Sequence, residues 1–155
     1  MMWRPFNFFI GVWQGTGWGK PGISRVERKY ELVLNEKFIF VQSKSVYEPR
    51  QNHPNGEVHE DWGFLSYDRA RETFVFRQFH GEGFVNHYLL DQTSEEDQVI
   101  SFVTEGIENI PPGWQAKESY RILNPDEFVE TFQFAAPNRN FETYAENHLH
   151  RVRYV

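Results

Sequence analysis

The chain has 155 residues, no cysteine, 15 Phe, 7 Tyr and 5 Trp, and 16 Lys and Arg against 22 Asp and Glu, for a net charge of −6. This length fits one domain with a sizeable core. The lack of cysteine excludes disulfides, zinc–thiolate sites and a cysteine nucleophile, and the acidic balance argues against a nucleic-acid partner. No apolar run approaches the ~20 residues that span a membrane, and no signal peptide is visible. We therefore expect one soluble, cytoplasmic domain over residues 1–155.

The predicted elements are short runs of strand-forming residues separated by turn residues such as Gly, Pro, Asn and Asp. A short turn or helix within residues 2–9 comes first. The predicted strands are 10–18, 23–34, 37–47, 57–67, 73–80, 83–90, 97–105, 114–123, 127–134 and 141–154.

Alternation of apolar and polar residues supports these strands. In 23–34, Val26, Tyr30 and Leu32 share one face, whereas Arg25 and Lys29 share the other. About ten strands with short connections indicate an all-β fold, either a sandwich or an antiparallel up-and-down barrel. A barrel has the advantage that closure removes exposed strand edges.

Polar residues on faces that should be internal favour a barrel with a cavity. Gln42 follows Phe40 in the same phase, and Gln78 and His80 follow Phe76. A ring-lined cavity with a few polar groups is typical of a small-molecule site. The alternative is that these polar groups lie at rims or face outward. The predicted cavity residues are Trp13, Phe74, Phe76, Gln78, His80, Asn86, Tyr88, Arg121, Phe132 and Phe134.

The first strand carries a glycine string, Gly11-Val12-Trp13-Gln14-Gly15-Thr16-Gly17-Trp18-Gly19. Glycines at every second position clear one strand face for another backbone or a flat ligand. The G-x-W opening resembles the calycin barrels, and the longer string resembles the nitrobindin family of haem-binding barrels. The segment 77–87 resembles instead related uncharacterised bacterial calycin-like domains.

Two further segments resemble the nitrobindins, 58–65 and 148–152. The resemblance implies a calycin-like barrel that holds ferric haem b, with His148 as the axial iron ligand and His59 on the distal side. It places Gly15, Gly17 and Gly19 beside the cofactor and implies chemistry on nitric oxide or peroxynitrite, including peroxynitrite isomerase activity.

His148 and His150 are two residues apart, so a strand directs both to one side, where they offer two imidazoles to one ion. The alternative is a solvated strand end. Three other functions stay open: a carrier of a lipid or other apolar metabolite without haem, a lyase or isomerase using His80, Gln78 and Arg121, and a filled barrel with a structural role. The oligomeric state is open as well, a homodimer included.

Overall fold

A computed structural model describes residues 2–94 and 96–153. One short 3-10 turn, η1 (Asn7–Phe9), precedes the strands. The strands are β1 (Gly11–Gly19), β2 (Ser24–Val33), β3 (Phe38–Tyr47), β4 (Glu57–Asp68), β5 (Thr73–His80), β6 (Val85–Ser94), β7 (Val99–Glu108), β8 (Gln115–Asn124), β9 (Glu127–Ala135) and β10 (Glu142–Arg151).

The ten strands form a closed, antiparallel up-and-down barrel in which each strand pairs with its neighbours in sequence. Pairing of β1 with β10 closes the sheet, with Gly15 opposite Leu149 and Thr16 opposite His148. Closure leaves no strand edge unpaired. The predicted all-β class, the barrel of about ten strands and the short N-terminal turn are confirmed, and the sandwich is excluded.

The largest boundary difference concerns β6, which was predicted to end at residue 90. The strand continues through Asp91, Gln92 and Thr93 to Ser94, although its side chains there are polar and largely exposed. In a closed barrel the backbone of β7 pairs with this segment regardless of side-chain polarity. The last predicted strand, 141–154, ends in the structure at Arg151, and residue 154 lies outside the described residues.

One end of the barrel is closed by the N-terminal segment. Trp3, Phe6 and Phe9 are buried among the rings of the core. The Trp13 indole donates to the Phe9 carbonyl at 2.8 Å, and the Arg151 guanidinium donates to the carbonyls of Phe8 and Ile10. The last strand therefore holds the first segment in place as a plug.

The other end of the barrel is open. Successive connections of an up-and-down barrel alternate between its two ends, so the plug shares its end with the β2–β3, β4–β5, β6–β7 and β8–β9 turns. The Trp3 indole donates to the carbonyl of Glu36 in the β2–β3 turn at 2.7 Å, which agrees with this placement of the plug. The remaining connections, at 20–23, 48–56, 81–84, 109–114 and 136–141, surround the open end.

Gln42 does not point into the barrel. Ile39, Val41 and Ser43 are the buried phase of β3, so Gln42 and Phe40 lie on the outer face. The outer face of this part of the sheet carries its own rings, with Phe40 stacked on Phe64 at 4.9 Å between centroids. Among the described residues, no helix is long and apolar enough to cross a membrane.

Candidate functional site

A cavity of about 430 Å³ occupies the open half of the barrel. This volume lies within the range of about 300–1,000 Å³ typical of small-molecule sites. Rings and aliphatic groups line its mouth together with His59, His80 and Glu82, and polar and charged groups line its floor. The floor residues are Arg28, Ser43, Asp61, Gln78, Asn86, Glu118, Glu130 and Asn147, and the apolar mouth residues are Pro21, Phe84, Ile107, Ile110, Trp114, Phe132, Phe134 and Tyr144.

A buried ion pair crosses the floor. Arg28 on β2 donates two hydrogen bonds to Glu130 on β9, and one of them, from Nη2 to Oε1, is 3.0 Å long. Arg28 Nε also donates to Ser43 Oγ at 3.2 Å, and Asn147 donates to Glu130 at 2.8 Å. Such a network offsets part of the cost of burying two charges.

The glycine string of β1 makes room for this network. β1 and β10 lie between the strands that carry Arg28 and Glu130. A Cβ atom at Gly17 would lie 2.2 Å from Asn147 Oδ1 and 2.6 Å from Ser24 Oγ. A Cβ at Gly15 would lie 1.8 Å from the His148 carbonyl oxygen. The bare face of β1 thus admits the polar side chains of its neighbours.

Two further carboxyl groups on the floor, those of Asp61 and Glu118, have raised pKa values. Burial raises the pKa of Asp61 to about 6, although the Arg28 charge and a hydrogen bond from Gln78 act in the opposite direction. Burial, with the nearby charge of Glu130, raises the pKa of Glu118 well above its ordinary value. At neutral pH Asp61 is therefore largely ionised, whereas Glu118 binds its proton more tightly than an exposed carboxyl group does.

Several floor atoms have no hydrogen-bond partner within the described part of the chain. They include Gln78 Oε1, Asn86 Oδ1 and Glu118 Oε2, all buried in residues that line the cavity. An unpaired buried polar atom costs about 1–3 kcal/mol. Because these atoms are buried, a donor in the cavity reaches them only after the side chains of the floor rotate.

Two histidines lie on the cavity wall nearer the mouth. His80 stacks on Phe84 with 4.0 Å between ring centroids, and burial lowers its pKa to about 4, so the imidazole is neutral at pH 7. His59 contacts carboxylates of Glu57 and Glu82. Although partial burial opposes the charge, these hydrogen bonds raise the pKa of His59.

Some of the predicted site residues come together at the cavity. Gln78, His80 and Asn86 line it, as do Phe132 and Phe134. His59 lies on the same wall, and Gly15 and Gly17 form the bare strip of β1 described above. Gly19 ends that strip against the backbone of Tyr144.

Four predicted cavity residues lie instead in the filled half. Trp13 and Tyr88 are fully buried, and Phe74 and Phe76 are nearly so. Trp13 packs edge-on against Phe128 at 4.7 Å, and Phe76 stacks on Tyr88 at 5.9 Å. All four side chains lie in the core inside the barrel, but alternation cannot tell at which height along a strand the cavity begins. None of the four lines the main cavity.

Arg121 and His148 lie on the outer face of the barrel. Tyr120 is buried and Arg121 is exposed, as alternation along β8 requires. On β10, Leu149 is fully buried and Asn147 lines the cavity, so His148 between them points outward. Its Nε2 contacts Glu127 Oε2 at 2.9 Å. This placement does not fit the expected role of His148 as a ligand to iron inside the barrel, nor Arg121 as a cavity group.

The charged floor was missed, although the sequence carries a signal for it. Arg28 shares its phase with Val26 and Tyr30, and Glu130 lies between Phe128 and Phe132 in the same phase. A charged residue in the apolar phase of a strand indicates a buried, paired charge or a site.

The comparisons with known proteins agree with this architecture. A crystal structure of Rv2717c from M. tuberculosis superimposes with a TM-score of 0.70 at 19% identity, with 97% of each chain covered. A redesigned β-barrel superimposes with a TM-score of 0.50 at 10% identity, covering 97% of this chain and 96% of the other. At these identities the likeness concerns the fold alone. The search of curated proteins finds no significant match.

The family comparison covers nearly the whole chain. The model of the THAP4-like, heme-binding beta-barrel domain matches residues 2–151. This range includes the N-terminal plug, all ten strands and every residue of the cavity. The chain therefore belongs to the THAP4-like, haem-binding β-barrel domain family.

Proposed function

We propose that this barrel binds a small amphipathic molecule, with its apolar body against the rings at the mouth and a hydrogen-bond donor group on the floor. The observation that carries the proposal is the set of unpartnered acceptors, Gln78 Oε1, Asn86 Oδ1 and Glu118 Oε2, beneath an open cavity of about 430 Å³. A hydroxyl, amide or ammonium group supplies the donors that these atoms lack.

The charges on the floor select against a ligand with a carboxylate head. Arg28 is the buried cation of the floor, and Glu130 already engages both ends of its guanidinium. Asp61 adds negative charge at neutral pH. An anionic head would meet a net repulsive floor, whereas a neutral or cationic head would not. A fatty-acid carrier, one of the non-haem alternatives, is therefore disfavoured relative to a carrier of an alcohol or an amine.

The upper wall suits an apolar body. Trp114 packs against Phe134 at 5.8 Å between centroids, and Tyr144 packs edge-on against Phe132 at 5.8 Å. These rings come from β9, β10 and the connection before β8, so they form one continuous apolar side of the mouth. Burial of an alkyl chain there contributes roughly 25 cal/mol per Å² of apolar surface removed from water.

A matched series of ligands tests this proposal. Thermal unfolding is measured with 1-octanol, octylamine and octanoate at equal free concentration and pH 7. We expect the alcohol and the amine to raise the Tm, because a ligand that binds only the folded state stabilises it by mass action. Octanoate should give little shift. Gln78→Leu should reduce the shift, whereas Arg121→Ala on the outer face should leave it unchanged.

Three results of this ligand series would overturn the proposal. A larger Tm shift with octanoate than with octylamine would mean that the floor accepts an anion. Equal Tm shifts in the wild type and in Gln78→Leu would show that the ligand does not contact Gln78 on the floor. If none of the three ligands shifts the Tm, the barrel does not bind an amphipathic molecule with its apolar body at the mouth and its polar head on the floor.

Haem b is the competing ligand, and the description of the family supports it. The described interior does not fit the arrangement that the resemblance implies. β10 turns Asn147 and Leu149 inward and His148 outward, while the floor is ionic rather than an apolar slot. No step of nitric-oxide or peroxynitrite chemistry follows from these residues.

A hemin titration followed at the Soret band separates the two ligands. We expect no band that depends on His148. A band that His148→Ala abolishes and His150→Ala preserves would restore the axial-ligand assignment. A band abolished by His80→Ala would instead indicate that haem binds in the cavity with the His80 imidazole as its ligand. That result would overturn the non-haem proposal.

A further inference from the structure

The outer face of the barrel carries a cluster of three metal-ligating side chains, Glu127, His148 and His150. Their ligand atoms all lie within 4.8 Å of one another. His148 Nε2 lies 2.9 Å from Glu127 Oε2, and His150 Nδ1 lies 3.8 Å from the same oxygen. One carboxylate thus approaches both imidazoles.

The sheet fixes this arrangement through its register. His148 and His150 are two residues apart on β10, so both point outward, and their rings lie 4.8 Å apart at 26°. Glu127 on β9 stands directly opposite His150 in the pairing of the two strands. Both strands are paired on each side in the closed barrel, so the backbone beneath the cluster is held in place.

We propose that Glu127, His148 and His150 form a binding site for a divalent transition metal ion of the zinc class on the outer face of β9 and β10. Two imidazoles and a carboxylate are ligands that Zn²⁺ accepts. Ligand bonds of about 2.0–2.2 Å around a tetrahedral ion place ligand atoms roughly 3.4 Å apart. Small side-chain rotations bring the three atoms from their present spacing to that value.

The site is separate from the cavity and independent of the proposed function. Leu149, between the two histidines, points into the core, and Asn147 points into the cavity, so the sheet itself separates the two sites. His148 is about one-third exposed and His150 more than half exposed. Three protein ligands leave the fourth position of a tetrahedral ion open to solvent or to another molecule.

Isothermal titration with ZnSO₄ at pH 7.5 tests this site in the 155-residue chain. We expect one equivalent of Zn²⁺ to bind to the wild type. His148→Ala and His150→Ala should each weaken this binding by about tenfold or more. Loss of a metal ligand should reduce the affinity at least as much as loss of a residue that hydrogen-bonds to a ligand. Glu127→Gln should weaken it as well. The bound ion should also raise the Tm of the wild type, and much less that of His148→Ala.

His87→Ala is the matched control. His87 is also a surface histidine, and its Nε2 contacts Glu108 at 2.6 Å, but among the described residues this pair is not part of a group of three metal-ligand side chains. The control should bind Zn²⁺ as the wild type does. Stoichiometric binding that survives the double substitution His148→Ala and His150→Ala, loss of binding in His87→Ala, or no binding by the wild type would each overturn the proposal.

Discussion

The closed and open halves of the barrel are built from the same ten strands but differ in what those strands turn inward. β5 presents Phe74 and Phe76 to the closed half and Gln78 and His80 to the cavity. β9 makes the same change, since Phe128 is packed in the closed half and Glu130 is on the floor. Alternation persists along both strands, but the inner face of β5 changes from rings to polar groups, and that of β9 carries Glu130 between Phe128 and Phe132. The packed rings thus lie in the closed half, and the cavity with its polar groups lies in the open half.

The largest expected effect comes from removing a ring of the closed half. Trp13→Ala deletes a fully buried side chain that packs on Phe128, lies 4.4 Å from the Arg151 guanidinium and holds the Phe9 carbonyl. We expect a loss of about 4–5 kcal/mol in the free energy of unfolding, measured by urea denaturation.

Trp18 on the same strand provides the control, because its side chain is 44% exposed on the outer face. Trp18→Ala should cost about 1 kcal/mol or less. Comparable losses in the two variants would mean that the closed half is not the main source of stability.

The floor should respond differently, because its stability depends on pairing. Arg28→Met leaves Glu130 buried without its cation and should cost about 3–4 kcal/mol. The double variant Arg28→Met with Glu130→Leu removes both charges, and we expect it to recover most of that loss. Urea denaturation of both single variants and the double variant completes a double-mutant cycle. Additive losses would show that the two charges are not coupled.

The bare strip of β1 gives a third contrast. Gly15→Ala places a Cβ 1.8 Å from the His148 carbonyl oxygen, so β1 and β10 must move apart. We expect a loss of about 2–3 kcal/mol. Gly106→Ala is the control, because a Cβ there meets nothing within 4 Å. That variant should be neutral or gain about 0.5 kcal/mol. Thermal unfolding of both variants checks the difference.

These contrasts show why the sequence predicted the fold better than the site. The barrel depends on alternation and turn residues, which are local, and Val26 and Tyr30 marked the inner face of β2 correctly. The site depends on pairing across the barrel. Arg28 and Glu130 are 102 residues apart, and no local pattern brings them together. The outward orientation of His148 could also be inferred from its alternation with Leu149, but the resemblance to the nitrobindins implied that it lies inside the barrel.

The smallest expected effect concerns the pH dependence of the free energy of unfolding. Asp61 and His80, both in the open half, contribute to it with opposite signs. The pKa of Asp61 is raised to about 6, so the folded state binds its proton more tightly than the unfolded state does. Its contribution to stability is therefore lost as pH rises from about 4 to about 6. The pKa of His80 is lowered to about 4. Its neutral form is favoured on folding, so its contribution increases over the same range.

In the wild type these two contributions oppose each other, and single substitutions separate them. The free energy of unfolding of Asp61→Asn minus that of the wild type should rise by about 2 kcal/mol between pH 4 and pH 7. For His80→Gln the corresponding difference should fall. Urea denaturation across this pH range measures both, and parallel curves for wild type and variants would contradict the prediction. Opposite slopes are expected because burial penalises whichever form is charged, which is the deprotonated acid for Asp61 and the protonated base for His80.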